Sequence, residues 1–247
     1  MTEPSTTTQP SPQTRPSFLQ EAKANLTRVP VPYHEPPAVV LRRRIAVAVV
    51  VVIGAAVLGY SLSRPPGDSS FYGLTFALAG VWVLGALASR PLHLGHVRFF
   101  GRNQRPVITG TLIGLALGGA FVVGGLAARE IPALRDYAAD VLEFANHGSL
   151  PLVALITVIN GLAEELFFRG ALYSALEKHH PAIISTIVYI IVIGVSTLNP
   201  MLTFAALVLG AVCAFERRAT GGVLAPILTH MVWGLIMVLV LPGLFGV

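Results

Sequence analysis

Charged residues are scarce in this sequence: they make up 12% of its 247 residues, whereas about a quarter is usual in soluble domains. This scarcity excludes an ordinary soluble globular protein. Cys213 is the only cysteine, so an internal disulfide framework and a cysteine-rich zinc site are excluded as well. The HExxH helix of zinc proteases is missing, and the long apolar segments contain no aspartate. Hydrophobic residues, by contrast, reach 54%.

Long runs without Asp, Glu, Lys or Arg predict membrane-spanning helices, because about 20 apolar residues cross a bilayer core. The run from 182 to 215 is too long for one crossing, and Asn199-Pro200 in its middle predicts a break between two short helices. The fold class is therefore all-α, a polytopic transmembrane bundle of about seven spans. The predicted spans are 45–63, 71–89, 107–128, 149–174, 182–198, 201–215 and 222–245.

The chain divides into three regions by composition. Residues 1–44 hold eight of the 18 prolines and many Ser and Thr, which predicts a disordered tail. Residues 45–106 form two accessory transmembrane helices and a basic loop. Residues 107–247 contain the remaining spans and the charged segment discussed below.

The basic residues predict the orientation. With the tail in the cytoplasm, thirteen Lys and Arg residues lie on the cytoplasmic side and three on the other, while Arg169 lies within the membrane. We therefore expect an integral protein of the plasma membrane with a cytoplasmic N-terminus. The basic loops are topology signals and lipid headgroup contacts, so no nucleic-acid partner is expected.

The span 149–174 contains two adjacent carboxylates and an arginine. A carboxylate at mid-membrane costs about 2.5 to 3.5 kcal/mol, so it needs a partner or a function. Glu165 and Arg169 are four residues apart and can pair on one helix face. Glu164 lies about 100° away from Glu165, on a polar stripe with Asn160 and Thr157. We expect Arg169 to hold Glu165 and Glu164 to face a cavity.

A carboxylate in a poorly hydrated cavity can act as a general base toward water, which makes hydrolysis plausible. Hydrolysis also needs donors for the oxyanion of the tetrahedral intermediate, and His230 is the one histidine within a predicted span. Two other interpretations stay open on the residues alone. One is a structural cluster of ion pairs that locks helices together, and the other is a transporter in which Glu164 carries protons.

The string Glu164-Glu165-Leu-Phe-Phe-Arg169 matches the EExxxR motif of the CPBP intramembrane proteases. This family, also called the Abi or CAAX-protease family, includes the prenyl-protein endopeptidases of eukaryotes. The chain resembles the family over roughly residues 107–245, with three spans after the motif and a histidine in the last. The resemblance implies that Glu164 activates water and that Arg169 is structural, with Glu165 as the second glutamate.

The family's later motifs are FxxxH and HxxxN, or HxxxD, and the resemblance extends to them with changes. Residues 195–199 align with the first, with Val for Phe and Asn199 for His, and residues 230–234 align with the second, with Gly234 for Asn. The resemblance implies that His230 and Asn199 stabilise the oxyanion.

The sequence thus predicts an intramembrane endopeptidase that cleaves membrane-associated proteins or lipidated peptides within the lipid bilayer. Nothing in the sequence demands a metal or another cofactor. Loss of one oxyanion donor typically costs about 100- to 1000-fold in rate, and two positions are altered here. The alternative is therefore a catalytically inactive relative that binds other membrane proteins as a scaffold or regulator.

Overall fold

The computed structural model describes residues 17–27, 36–89, 92–99, 101–147, 149–176 and 179–246. Within these ranges the chain forms nine helices and one antiparallel hairpin. The helices are α1 (Phe18–Thr27), α2 (Pro37–Leu62), α3 (Ser69–Ala88), α4 (Val107–Ala128), α5 (Pro132–Asn146), α6 (Leu150–Leu176), α7 (Pro181–Thr197), α8 (Pro200–Thr220) and α9 (Leu224–Phe245). The hairpin pairs β1 (Val97–Phe99) with β2 (Arg102–Gln104).

Six of these helices, α2, α3, α4, α6, α8 and α9, are long and apolar enough to cross a membrane, and α7 is a shorter apolar helix. Each of the seven corresponds to one predicted span, so the prediction of an all-α bundle with about seven spans is confirmed. The predicted break is also present. Helix α7 ends at Thr197 and α8 begins at Pro200, whose fixed φ suits the first turn of a helix.

The structure moves the predicted boundary of the tail. Helix α1 lies inside the segment predicted to be disordered, and α2 begins at Pro37, eight residues before the predicted first span. Polar contacts with the hairpin explain why α1 forms. Glu21 accepts a hydrogen bond from a hairpin backbone N–H at 2.6 Å, and the Asn25 side chain forms two hydrogen bonds with the backbone of β1. The rest of the predicted tail, 1–16 and 28–35, lies outside the described residues.

Consecutive spans are antiparallel, which gathers their connections at two ends of the bundle. We call the end with β1 and β2 the hairpin end and the opposite end the α5 end. At the α5 end, α5 packs against α6, α8 and α9. The loop between α2 and α3 also lies there, where Asp68 caps α3 by accepting a hydrogen bond from Ser70 N–H. This hydrogen bond holds the pKa of the Asp68 carboxyl below its usual value.

The hairpin end is closed by backbone pairing between two loops. His96 N–H donates to Thr220 O at 2.9 Å, and Val223 N–H donates to His93 O at 2.8 Å. The two chains approach so closely that a Cβ at Gly222 would lie 1.9 Å from the Gly95 nitrogen. Glycine is therefore required where the α8–α9 turn meets the loop after α3.

An aromatic cluster fixes α6 within the bundle. Trp82 of α3 packs against Phe167 and Phe168 of α6, with ring centres 4.8 and 5.1 Å apart. Gly54 of α2 provides the space for this indole, because a Cβ there would lie 2.0 Å from the ring. The accessory helices α2 and α3 thus both pack against the segment that carries the glutamate motif.

Candidate active site

Glu165 lies at the centre of a buried charge cluster. Its Oε1 atom accepts hydrogen bonds from Arg169 Nη1 and from His230 Nδ1, each at 3.0 Å. The side chains of Glu165 and Arg169 are 0% exposed. The pairing predicted along one face of α6 is therefore present, and His230 joins it from α9. Donation from Nδ1 to the carboxylate leaves Nε2 as the ring nitrogen available for other contacts.

Arg169 is held from three further directions. Its Nη2 donates to Gly210 O at 2.9 Å, and its guanidinium lies 4.8 Å from the centre of the Tyr189 ring. Its own carbonyl accepts a hydrogen bond from Arg217 Nε at 2.7 Å. Arg169 belongs to a π-helical segment of α6, Leu166–Leu172, and such segments are frequent at functional sites. The arginine thus joins α6 to α7 and α8 while it neutralises the carboxylate of Glu165.

Glu164 has a different environment from its neighbour. Its Oε2 atom accepts a hydrogen bond from the Tyr189 hydroxyl at 2.8 Å, the one hydrogen bond that reaches this carboxylate from the described side chains. It forms no ion pair with the cations placed in the described ranges, and it lines a cavity. The two glutamates are therefore separated as predicted, one tied to Arg169 and the other facing open space.

The cavity has a volume of about 520 Å³ and reaches from Glu164 to the α5 end. Besides Glu164, the polar side chains of the lining include those of Thr157, Asn160, Tyr189, Asn199 and His230. Of these, Tyr189 contacts Glu164, and Asn199 lies at the α5 end. Apolar and aromatic side chains such as Leu58, Phe71 and Phe144 form most of the remaining lining. In the described part of the chain, no three His, Cys, Asp or Glu side chains are grouped as metal ligands. What the polar part of the lining offers is a carboxylate acceptor and several hydrogen-bond donors.

Asn199 reaches the cavity, but its side chain already has structural partners. As the N-cap of α8, its Oδ1 accepts from Met201 and Leu202 N–H at 2.9 and 3.1 Å. Its Nδ2 donates to Tyr137 O of α5 at 2.9 Å. One amide hydrogen on Nδ2 is left for any further partner. Asn199 therefore anchors α5 and begins α8, whatever else it does.

The face that α7 presents to the cavity differs in register from the aligned FxxxH motif. Tyr189, Ile193 and Thr197 line the cavity, each four residues from the next. Val195, the aligned first position of the motif, is 69% exposed on the outside of the described bundle. The four-residue pair that faces Glu164 is thus Tyr189 and Ile193. Sequence reasoning missed Tyr189, because the face that α7 turns toward Glu164 depends on the rotation of the helix within the bundle.

Gly234 lies at a close contact between α6 and α9. A Cβ at this position would lie 2.8 Å from the Cγ2 methyl of Thr157. The ring of His230 on α9 also packs closely against Gly161 of α6, where an added Cβ atom would lie 3.2 Å from the ring. The glycine that replaces the family's Asn therefore accompanies a tight helix contact, and Thr157 occupies the space that a larger side chain would need.

The structure also buries one of the basic residues counted on the cytoplasmic side, Arg217, together with its neighbour Glu216. Helix α8 continues to Thr220 rather than ending at 215, which buries Glu216 and Arg217. Glu216 Oε1 lies 2.9 Å from the Thr229 hydroxyl, and Arg217 bonds to the carbonyl of Arg169. Arg217 is seven residues after Gly210 and thus on the same face of α8 as the carbonyl that Arg169 binds.

Comparison with known protein families gives a match over the part of the chain that holds these residues. The family model of the type II CAAX prenyl endopeptidase Rce1-like proteins matches residues 146–236, a segment that contains all five predicted site residues. No curated protein and no solved structure matches the chain. With its apolar helices, this is an integral membrane protein. The match over residues 146–236 supports a CAAX-type intramembrane protease at the level of the family.

Proposed function

We propose that this protein is an intramembrane endopeptidase in which Glu164 activates the water that hydrolyses a peptide bond. One observation carries the proposal: Glu164 lines the cavity with a single hydrogen bond from Tyr189, while Glu165 beside it is tied to Arg169 and His230. A carboxylate without a cationic partner in an apolar cavity is costly unless it has a function. General-base catalysis gives it one.

The residues divide the chemistry among them. Glu164 takes a proton from water, and the resulting hydroxide attacks the carbonyl carbon of the scissile bond. His230, held through Nδ1 by Glu165, donates from Nε2 to the oxyanion when doubly protonated. The remaining amide hydrogen of Asn199 is a second donor. Protonated Glu164 then returns its proton to the nitrogen of the leaving amine, which completes the hydrolysis.

Tyr189 orients the base in this scheme. The centre of its ring lies 4.8 Å from the guanidinium carbon of Arg169 and 4.8 Å from the centre of the Phe168 ring, so both groups hold the ring in place. The hydroxyl is therefore fixed where it binds Glu164 Oε2, which leaves Oε1 to accept the proton of the water. Tyr189 acts through Glu164 and is a positioning residue.

The regional assignments belong to the proposal as well. We assign the protease core to 107–247. The accessory helices are assigned to the region before it, which begins with α2 at Pro37 rather than at residue 45, and the segment before α2 is assigned as a cytoplasmic tail. The protein lies in the plasma membrane with the hairpin end in the cytoplasm, as the basic residues there favour. Its substrates are membrane proteins or lipidated peptides that reach the cavity from the bilayer.

A non-catalytic scaffold is the second candidate, and two contacts favour it. Asn199 is used as a helix cap, and Gly234 offers no donor where the family has Asn. In this case the charge cluster maintains a surface that binds other membrane proteins. The Glu165–Arg169 pair is then required for folding, and Glu164 is dispensable.

Two isosteric variants separate these candidates. Glu164→Gln keeps an acceptor for Tyr189 and should abolish cleavage of a membrane-peptide library by the purified protein in liposomes. Glu165→Gln should lower thermal stability in detergent, because Arg169 loses its carboxylate partner. Wild-type protein that is folded and cleaves no peptide would support the scaffold instead.

A further inference from the structure

Helices α4, α8 and α9 meet at the side chain of Thr229, outside the cavity. Its Oγ1 atom lies 2.9 Å from Gly110 O of α4 and 2.9 Å from Glu216 Oε1 of α8. Thr229 is 0% exposed, Glu216 is 2% exposed, and neither side chain lines the cavity. Glu216 is thus a buried carboxyl group that the proposed hydrolysis does not use.

The number of hydrogens available to this contact sets the state of the carboxyl group. The Thr229 hydroxyl carries one hydrogen, and Gly110 O can only accept. If the hydroxyl donates to this carbonyl, the hydrogen in the second contact must come from Glu216. Both short contacts are therefore full hydrogen bonds only when Glu216 is protonated and donates from Oε1 to Thr229 Oγ1.

The surroundings of Glu216 favour this neutral form. Its Oε2 atom is buried without a hydrogen-bond partner among the described residues, which costs more for a carboxylate than for a protonated carboxyl group. The buried cation Arg169 is paired with Glu165 instead. Helix α4 contributes the uncharged backbone of Gly110 here. The ionisable groups that α6, α8 and α9 place in this part of the bundle are Glu165, Arg169, Cys213, Arg217 and His230.

Thr229 immediately precedes His230, so its contacts control how α9 is rotated about its own axis. Helix α4 approaches α9 closely on this side, where a Cβ at Gly110 would lie 2.6 Å from Ala225 O. On another side, Glu165 of α6 binds the His230 ring at 3.0 Å. Successive side chains of a helix point about 100° apart. The two sets of contacts therefore hold α9 from two directions and fix the direction of the imidazole.

We infer that Glu216, in its protonated form, is a positioning residue that orients His230 through Thr229. Its effect on catalysis rests on the proposed function, in which His230 donates to the oxyanion. Arg217, the next residue of α8, adds to the arrangement, because its Nε donates to Arg169 O of α6 at 2.7 Å. The last turn of α8 thus holds α9 through Glu216 and α6 through Arg217.

Ionisation of Glu216 would break this arrangement. A carboxylate can only accept, so the Thr229 hydroxyl would turn from Gly110 O toward Glu216. Helix α9 would then lose its side-chain hydrogen bond to α4. The orientation of His230 is consequently present while Glu216 is protonated and is lost as rising pH ionises it.

Nuclear magnetic resonance of the whole chain in detergent, with ¹⁵N in the histidine rings, tests the orientation of His230 without any substrate. The signals of His230 are identified by their absence in His230→Gln, and their shifts show whether Nδ1 donates a hydrogen bond. Thr229→Val removes the hydroxyl with little change in shape, and Thr229→Ser restores it. Thr203→Val is the matched control, because the Thr203 hydroxyl donates to Asn199 O and does not line the cavity.

We expect Thr229→Val to lose the hydrogen bond from His230 Nδ1 and to lower kcat about 100-fold at nearly unchanged KM, because the imidazole is misplaced. Thr229→Ser should recover both the signal and the rate, and Thr203→Val should behave as the wild type does. A Thr229→Val variant with the His230 signals and the kcat of the wild type would overturn the positioning role.

A pH series on the wild type and Glu216→Gln tests the protonated form, and it carries the test alone if Thr229→Val does not fold. Glutamine keeps a donor for Thr229 Oγ1 and cannot ionise. We therefore expect the hydrogen bond from His230 to be lost in the wild type as the pH rises above neutral and to be kept in Glu216→Gln. All other ionisable groups are the same in both proteins, so identical pH series would overturn the inference.

Cleavage of a membrane peptide by the same preparations separates this inference from the proposed function. Cleavage by the wild type that Thr229→Val leaves unchanged overturns the inference and leaves the protease proposal intact. The expected His230 signals with no cleavage by the wild type overturn the protease proposal and support the orientation of His230 by Glu216.

Discussion

The hydroxyl of Tyr189 in α7 lies 2.8 Å from Oε2 of Glu164 in α6, a residue 25 positions earlier in the chain. This contact joins α7 to the first glutamate of the motif, whereas the second glutamate is bound by α6 itself and by α9. The site is therefore assembled from three helices, and each carboxylate has its own set of partners. The hydrogen-bond partners of Glu164 and those of Glu165 can therefore be tested separately.

Tyr189→Phe should lower kcat about 10- to 100-fold and leave KM nearly unchanged. A hydrogen bond to a charged group contributes about 1.5–3 kcal/mol, and the ring that stacks on Arg169 is kept. Tyr173→Phe is the matched control, since Tyr173 also stacks on an arginine at 4.8 Å but does not line the cavity. Steady-state kinetics on both variants check this. Equal kcat in wild type and Tyr189→Phe would remove Tyr189 from the mechanism.

Substitutions at Asn199 should separate capping from catalysis. Asn199→Asp keeps an acceptor for the N–H groups of Met201 and Leu202 but removes the amide donor. The Asn199→Asp variant should therefore form the N-terminus of α8 normally and cleave peptides more slowly. Asn199→Ala loses the cap as well, at a cost of about 0.5–2 kcal/mol in stability. Thermal unfolding and kcat measured on the same preparations distinguish the two effects, and unchanged kcat in Asn199→Asp would assign Asn199 a purely structural role.

Restoring the family's Asn at position 234 should succeed only when space is made for it. Gly234→Asn alone should destabilise α6 against α9 by about 1–3 kcal/mol, because the new Cβ would lie 2.8 Å from the Thr157 methyl. Adding Thr157→Ser removes that methyl and should recover stability. The double variant then has an extra donor and should cleave faster, by up to about 100-fold. A stable double variant no faster than wild type would contradict the oxyanion assignment.

Gly54→Ala should destabilise the whole bundle although Gly54 does not line the cavity. A Cβ at Gly54 would lie 2.0 Å from the Trp82 ring, and that ring packs on the two phenylalanines of the motif helix. Gly73→Ala of α3 is the control, because nothing lies within 4 Å of the position where its Cβ would be. We expect a lower unfolding temperature in detergent for the first variant and little change for the second.

Patterns local to the sequence were enough to predict most of the architecture. Hydropathy predicts all seven apolar helices, and Asn199-Pro200 predicts the break between α7 and α8. The four-residue spacing of Glu165 and Arg169 predicts their ion pair, because helix geometry alone brings them together.

Contacts between distant segments could not be predicted in the same way. The face that α7 presents to Glu164 depends on how α7 is rotated in the bundle, so the exposed Val195 was aligned where Tyr189 and Ile193 face the cavity. The docking of α1 on the hairpin likewise depends on Glu21 and Asn25 meeting backbone groups more than 70 residues away. Burial of Arg217 required a partner carbonyl on another helix.

The most direct test of the central claim is single-turnover cleavage of a membrane peptide in H₂¹⁸O by wild-type protein and Glu164→Gln in liposomes. We expect the wild-type product to carry one ¹⁸O in its new carboxylate and the Glu164→Gln variant, equally folded, to release no product. Cleavage by Glu164→Gln at the wild-type rate would contradict the claim that Glu164 activates the water.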